Sequence, residues 1–176
     1  MTDIDKHIVL IGFMGSGKST VGRILADKLG SGFVDMDEEI EQSQGQTISQ
    51  IFSTLGESQF RKIETATIKR LLSTKKPLVI STGGGTPCFG ENMSLIKENS
   101  YSFYLKVGRA SLAERLQRST DRPLINGMNK KDLKIFIKDK LSEREHYYKQ
   151  AYKTVRGIYH PESVSLGIIE HIESSK

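Results

Sequence analysis

The sequence predicts an α/β protein, a three-layer α/β/α sandwich built on a parallel sheet. Three observations predict it. The apolar run Ile8-Val9-Leu10-Ile11 leads into GFMGSGKS, Gly12 to Ser19, and then into Val21, Ile24, Leu25 and Leu29 at helical spacing. Short apolar runs and amphipathic stretches keep alternating to the C-terminus, the pattern of repeated βα units. At 176 residues the chain is long enough for one compact domain, 1–176, and no internal repeat, low-complexity tract or linker divides it.

The elements follow in order. Ile8 to Ile11 is a buried strand, and the helix after it begins at the Gly-rich loop. Phe33-Val34-Asp35 is a second short strand. Asp37 to Gln44 and Thr47 to Leu55 read as two short helices parted by Gly45, the second opened by a Thr47–Gln50 capping box. A longer helix from Ser58 to Leu72 presents Phe60, Ile63, Ile68 and Leu71 on one face. Pro77 precedes the strand Leu78-Val79-Ile80, which runs into Thr82 and Gly83-Gly84-Gly85. A helix near Glu91 to Lys97, a strand from Ser102 to Val107 and a helix near Leu112 to Leu116 come next. Arg118 to Asn129, polar and punctuated by Pro123 and Gly127, reads as a mobile loop. A long helix from Lys131 to Tyr148, a strand at Thr154-Val155 and a helix from Pro161 to Ile172 close the chain.

Composition narrows the function classes. Charged residues at 27% and hydrophobic ones at 36% describe an ordinary soluble protein. The net charge of +5 is spread among acids, with only short pairs such as Lys75-Lys76, so no nucleic-acid partner is expected. No stretch reaches transmembrane length, and no membrane partner is expected. The start lacks the basic and apolar regions of a secretory leader. The single Cys88 suits a reducing compartment, and a cytoplasmic location is expected. His7, His146, His160 and His171 share no metal-ligand spacing.

Gly12 to Ser19 matches the phosphate-binding pattern G-x-x-x-x-G-K-[ST] in full. Its glycines free the backbone to aim N–H groups into one cradle at a helix N-terminus. Lys18 would reach the terminal phosphates and Ser19 would hold Mg²⁺. Further polar features fall at the carboxyl ends of strands, where α/β folds bind ligands. Asp35 and Asp37, two apart, are placed to serve a metal-bound water and a substrate hydroxyl; Asp37 alternatively starts an acidic helix turn. Arg61 suits a carboxylate ligand or an ion pair with Glu57 or Glu64. Gly83 to Gly85 permit close backbone approach, whereas a sharp turn explains only one of the three. Arg122, preceded by Arg115 and Arg118, is a cation on a loop able to close over phosphates, or a solvated charge. Arg144 shares a helical stripe with Leu133, Ile137, Leu141 and Tyr148 and therefore needs an anionic partner, from protein or ligand.

With these residues in place the chain resembles the shikimate kinase family nearly end to end. GFMGSGKSTVGR, Gly12 to Arg23, is similar to that family's phosphate loop. Phe33, Asp35, Asp37 and Ile40 match its F-x-D-x-D-x-x-I pattern, and Gly56, Glu57, Phe60 and Arg61 its G-E-x-x-F-R segment. Gly83 to Gly85, Arg122-Pro123-Leu124, and Arg144 with Tyr148 complete the set. The resemblance implies a P-loop, nucleoside-monophosphate-kinase-like fold with a five-stranded parallel sheet. It implies transfer of the ATP γ-phosphate to the 3-hydroxyl of shikimate, a step toward chorismate and the aromatic amino acids, by a monomer. It implies that Asp37, Arg61, Gly83, Gly84, Gly85 and Arg144 hold shikimate and that Lys18, Asp37 and Arg122 are catalytic. It further implies that Gly15, Ser16, Gly17, Lys18, Ser19, Thr20, Arg115 and Arg122 bind ATP, and that Mg²⁺ sits on Ser19 and, through water, on Asp35. Residues 33–61 would form an acceptor-binding segment and 112–128 a lid loop. The chain departs from the pattern after its last strand, where VRGIYHPESV, Val155 to Val164, replaces an Asn-containing adenine segment; Arg156, Ile158 and Pro161 are the candidates to frame the base.

Other classes predict other features. A gluconate kinase would share the loop without needing two carboxylate-clamping arginines beside a triple glycine. A GTPase-like switch would carry D-x-x-G with N-K-x-D; Asn129-Lys130-Lys131-Asp132 fits the second string but lies between a loop and a helix rather than at a strand end. A silent binding paralogue is disfavoured because Lys18, Asp37 and Arg122 are all retained.

Overall fold

In a computed structural model, residues 4–118, 125 and 127–175 are described. Five parallel strands lie in the order β2-β3-β1-β4-β5: β1 (His7–Ile11), β2 (Gly32–Asp35), β3 (Leu78–Ser81), β4 (Ser100–Lys106) and β5 (Lys153–Arg156). The register sets Ile8 beside Val79 and Tyr101, and Asp35 beside Ser81. The helices are α1 (Lys18–Leu29), α2 (Met36–Gln44), α3 (Ile48–Leu72), α4 (Asn92–Asn99), α5 (Arg109–Gln117), α6 (Lys130–Tyr148) and α7 (Pro161–Glu173).

Strand alternation splits the core into two layers. Ile8, Leu10, Val79, Phe103 and Leu105 point to one face and pack on Val21, Leu25 and Leu29 of α1 and Ile168 and Ile172 of α7. Val9, Ile11, Ile80 and Tyr104 point to the other and meet Ile68 and Leu71 of α3, Ile96 of α4, Leu112 and Leu116 of α5, and Ile137, Leu141 and Tyr148 of α6. Burial on both faces is why β1 and β3 read as apolar runs. A small third cluster, Ile40, Ile51 and Phe60, ties α2 to α3 over one end of the sheet.

The expected sandwich is the observed one, with shifted boundaries. β4 begins two residues before the expected Ser102, and β3 continues through Ser81. The two helices expected across Thr47–Leu72 form one continuous α3, broken only at Gly56, whose φ of 77° and ψ of 168° are not helical. The capping box is present, Gln50 N–H donating to Thr47 Oγ1 at 3.2 Å and Thr47 N–H to Gln50 Oε1 at 2.8 Å. Residues 112–117 of the expected lid region are helical, as the end of α5, while Arg122-Pro123-Leu124 lie outside the described residues. Among the described residues, no helix is long and apolar enough to cross a membrane.

Candidate active site

The carboxyl ends of β1, β2 and β3 and the segment after β5 open into one groove of about 1320 Å³. Its floor is the tip of the phosphate loop, Met14 to Gly17. Gly12, Gly15 and Gly17 take φ values of 144°, 77° and 94°, a conformation that a Cβ would strain. Gly17 caps α1 and offers no side-chain acceptor to the helix's first N–H groups. Those donors, with the positive end of the helix dipole, make an anion site. Ser16 Oγ is buried there without a hydrogen-bond partner, an orphan of the kind a ligand oxygen satisfies. Lys18, itself buried, reaches back over the loop to the carbonyls of Gly12 at 3.0 Å and Phe13 at 3.1 Å.

Ser19 Oγ donates to Asp35 Oδ2 at 2.5 Å and lies 3.4 Å from Ser81 Oγ. Asp35 also caps α2, its Oδ1 accepting from Asp37 N–H at 3.0 Å. A hydroxyl and a carboxylate at a phosphate loop are hard oxygen donors, the set that Mg²⁺ takes while keeping waters and phosphate oxygens.

The other wall is built on the triple glycine. A Cβ on Gly83 would fall 3.1 Å from Asp37 Oδ1 and 2.7 Å from Glu64 Oε1; one on Gly85 would overlap the Arg61 guanidinium; one on Gly84 would touch Arg144 Nη1 at 3.5 Å. Bare backbone is therefore what lets one carboxylate and two guanidiniums converge on three consecutive residues. Arg61 pairs with Glu64 at 2.5 Å and with Glu57 at 3.0 Å. Burial lowers its pKa, but the charges and hydrogen bonds of Glu64 and Glu57 outweigh that and hold it above its ordinary value. Glu64 is 1% exposed and also accepts from Thr86 Oγ1 at 2.6 Å. Tyr148 donates to the Gly84 carbonyl at 2.5 Å, and burial raises its pKa. Cys88 packs beside this wall with its thiol pushed up to about 11, first by burial, so it stays a neutral thiol at pH 7.

Every described residue expected to hold phosphate, Mg²⁺ or the acceptor lines the groove, as do Thr20 and Arg115. Arg122 lies outside the described residues. Arg115 donates to the carbonyls of Gly15 at 3.2 Å and Gly157 at 2.9 Å, bracing the phosphate loop against the chain after β5. Of the three residues expected to frame a base, Pro161 lines the groove, but Arg156 and Ile158 do not; Gly157, Tyr159 and Val164 stand there with it. The strand ends at Arg156, and the turn that follows carries Tyr159, not Ile158, to the groove. Sequence reasoning missed two polar residues. Ser81 was hidden because strand pairing with β2, not sequence distance, brings it to Ser19. Glu64 was considered only as a partner of Arg61; its three-residue offset on one helix face was the available signal.

The shikimate kinase family model matches residues 14–173. The chain is 44% identical over 170 residues to a shikimate kinase of Thermodesulfovibrio yellowstonii, covering 96% of this chain and 95% of that one. Among solved structures it is similar to shikimate kinase from Bacteroides thetaiotaomicron, with a TM-score of 0.90, 32% identity and coverage of 96% and 98%. It is also similar to shikimate kinase from Acinetobacter baumannii in complex with shikimate, with a TM-score of 0.89, 35% identity and coverage of 97% and 94%.

Proposed function

The chain belongs to the shikimate kinase family, and we infer from that premise that it transfers the γ-phosphate of ATP to the 3-hydroxyl of shikimate, giving shikimate 3-phosphate and ADP. The observation that carries the acceptor assignment is the convergence of Asp37, Arg61 and Arg144 on Gly83–Gly85 beside the phosphate loop. A small polyol carboxylate needs cations for its acid group, a hydroxyl acceptor at its reacting end and unobstructed backbone for the rest. Gluconate is a polyol carboxylate too, and what favours shikimate over it is the shikimate kinase family match across residues 14–173.

The residue roles follow from this arrangement. Arg61 and Arg144 bind the shikimate carboxylate, and Gly83 to Gly85 seat the ring. Asp37 accepts a hydrogen bond from the 3-hydroxyl and takes its proton as the oxygen bonds to the γ-phosphorus and the bond to the ADP oxygen breaks. The loop N–H groups, Lys18, Ser16, Thr20 and Arg115 hold the nucleotide, and Lys18 and Arg122 stabilise charge on the transferring group. Ser19 directly, and Asp35 through water, would hold Mg²⁺, which when bound neutralises phosphate charge. Residues 33–61 form the acceptor-binding segment and 112–128 the lid. We assign the enzyme to the cytoplasm, as its lone cysteine suits, and to a monomeric state, since both halves of the groove come from one chain.

The test is ADP release from Mg-ATP with shikimate or gluconate as acceptor. Turnover with shikimate alone is expected; turnover of gluconate and not shikimate would sink the assignment.

A further inference from the structure

Two guanidiniums face the triple glycine, and their partners differ in kind. Arg61 is matched by Glu57 and Glu64, so protein carboxylates already offset its charge. Arg144 lines the groove half-buried, and among the described residues no carboxylate lies within ion-pair distance of it. A long cationic side chain with a loose end loses rotamer freedom when a ligand immobilises it, and that loss weakens binding. A carboxylate partner would fix the side chain but offset its charge. A neutral partner fixes it and leaves the charge for the ligand.

Arg144 has neutral partners. Its guanidinium lies over the Phe13 ring of the phosphate loop, 5.8 Å from the centroid. Tyr148, four residues on, shares its helix face, and Arg144 hydrogen-bonds to the phenol oxygen. That phenol donates in turn to the Gly84 carbonyl at 2.5 Å. A hydroxyl can accept and donate at once, so one oxygen serves both contacts. Gly84 is also the residue whose Cβ would fall 3.5 Å from Arg144 Nη1 and 3.4 Å from the Met14 nitrogen. Burial raises the Tyr148 pKa above the ordinary phenol value, so the group is neutral at pH 7. Core packing does not require the oxygen: the ring is fully buried against Tyr104, at 5.1 Å between centroids, and a phenylalanine ring would fill the same space.

We propose that Tyr148 is a positioning residue for acceptor binding: its hydroxyl ties the Arg144 guanidinium to the Gly84 carbonyl, holding it ready for a carboxylate without offsetting its charge. The inference rests on the reading of Arg144 as a ligand of the shikimate carboxylate. The restraint on Arg144 is a property of the free protein and can be measured without any ligand.

Tyr148→Phe keeps the ring and removes only the oxygen. By calorimetry it should weaken shikimate binding about tenfold, the scale of one hydrogen bond to a charged group, and leave Mg-ATP binding within about twofold. In an Arg144→Ala background the same substitution should weaken shikimate binding by less than about twofold, because the hydroxyl then has no guanidinium to orient. In side-chain NMR of the free protein, the Arg144 Nε–H signal, assigned by its loss in Arg144→Ala, should be restrained in the parent and motionally averaged in Tyr148→Phe. A merely structural hydroxyl would lower the melting temperature and leave both the shikimate affinity and the Arg144 signal as in the parent; that result would overturn the proposal. So would additive losses in the double substitution, or a freely rotating Arg144 in the parent. A parent that binds no shikimate would count against the functional assignment, and the NMR comparison would still decide the role of Tyr148.

Discussion

Arg61 is held by two carboxylates at once, one exposed on Glu57 and one buried on Glu64. Glu64 orients it without leaving its charge unpaired, and the Glu57 side is the one that a substrate carboxylate can replace. Arg61→Ala should therefore raise the shikimate KM by tenfold or more, matching the ~1.5–3 kcal/mol of a charged hydrogen bond, with the ATP KM little changed. Steady-state kinetics check it, and an unchanged shikimate KM would remove the clamp. Asp37 is exposed in the first turn of α2, with its carboxylate beside Gly83. Asp37→Asn should lower kcat by about 10²–10⁴, the usual contribution of a general base, while ATP binding persists. A kcat within a few-fold of the parent would mean that positioning alone drives the reaction. That both residues line the groove was legible from the chain, because residue type and spacing are local. Glu64 was legible only as a helical neighbour of Arg61; its contact with Thr86 and its place beside Gly83 depend on how α3 packs against the end of β3.

At the scale of elements, α3 is two helical runs joined at Gly56, in a backbone region that glycine alone occupies comfortably. The Gly56 break redirects the chain so that the first run closes over Ile40 while the second carries Phe60 and Arg61 to the groove. A Cβ there would meet nothing within 4 Å, so any cost of Gly56→Ala is backbone strain rather than collision. That strain, ~1–3 kcal/mol, should lower the melting temperature by about 3 °C or more, with a raised shikimate KM if the second run shifts. A melting point equal to the parent's would show that the break is not required. Helix and strand types were readable from apolar periodicity, and the Thr47 capping box from four residues. Boundaries were less so, because β4 is extended at its start by pairing His7 with Ser100, a contact distant in sequence.

At the scale of the whole molecule, function is gathered at one pole of the sheet, and the opposite pole carries a titratable group of its own. His7 begins β1, buried, with Nδ1 accepting from Leu78 N–H at 3.1 Å. Desolvation, the largest cause, lowers its pKa, against hydrogen bonds with the Leu72 and Thr74 backbone that raise it. An unfolded chain takes up a proton near the ordinary histidine value of about 6.5, which the folded chain refuses. Stability from this group is therefore complete above that pH and is lost as pH falls through it toward the lower folded pKa. Melting temperature measured from pH 7.5 down to 5.5 should decline, and His7→Gln should flatten the decline; parallel profiles would acquit His7. By itself the sequence determined the α/β class, the phosphate-loop motif and the kinds of charged residue that line the groove, because periodicity and motif spacing are local properties. Only the tertiary structure decided that Ser81 meets Ser19, that two arginines and an aspartate meet on one glycine run, and that Tyr159 rather than Ile158 reaches the groove. Those are outcomes of strand order and helix packing, which bring together residues as far apart as Met14 and Gly84, whose would-be Cβ lies 3.4 Å from the Met14 nitrogen, and Gly15 and Arg115, 100 positions apart.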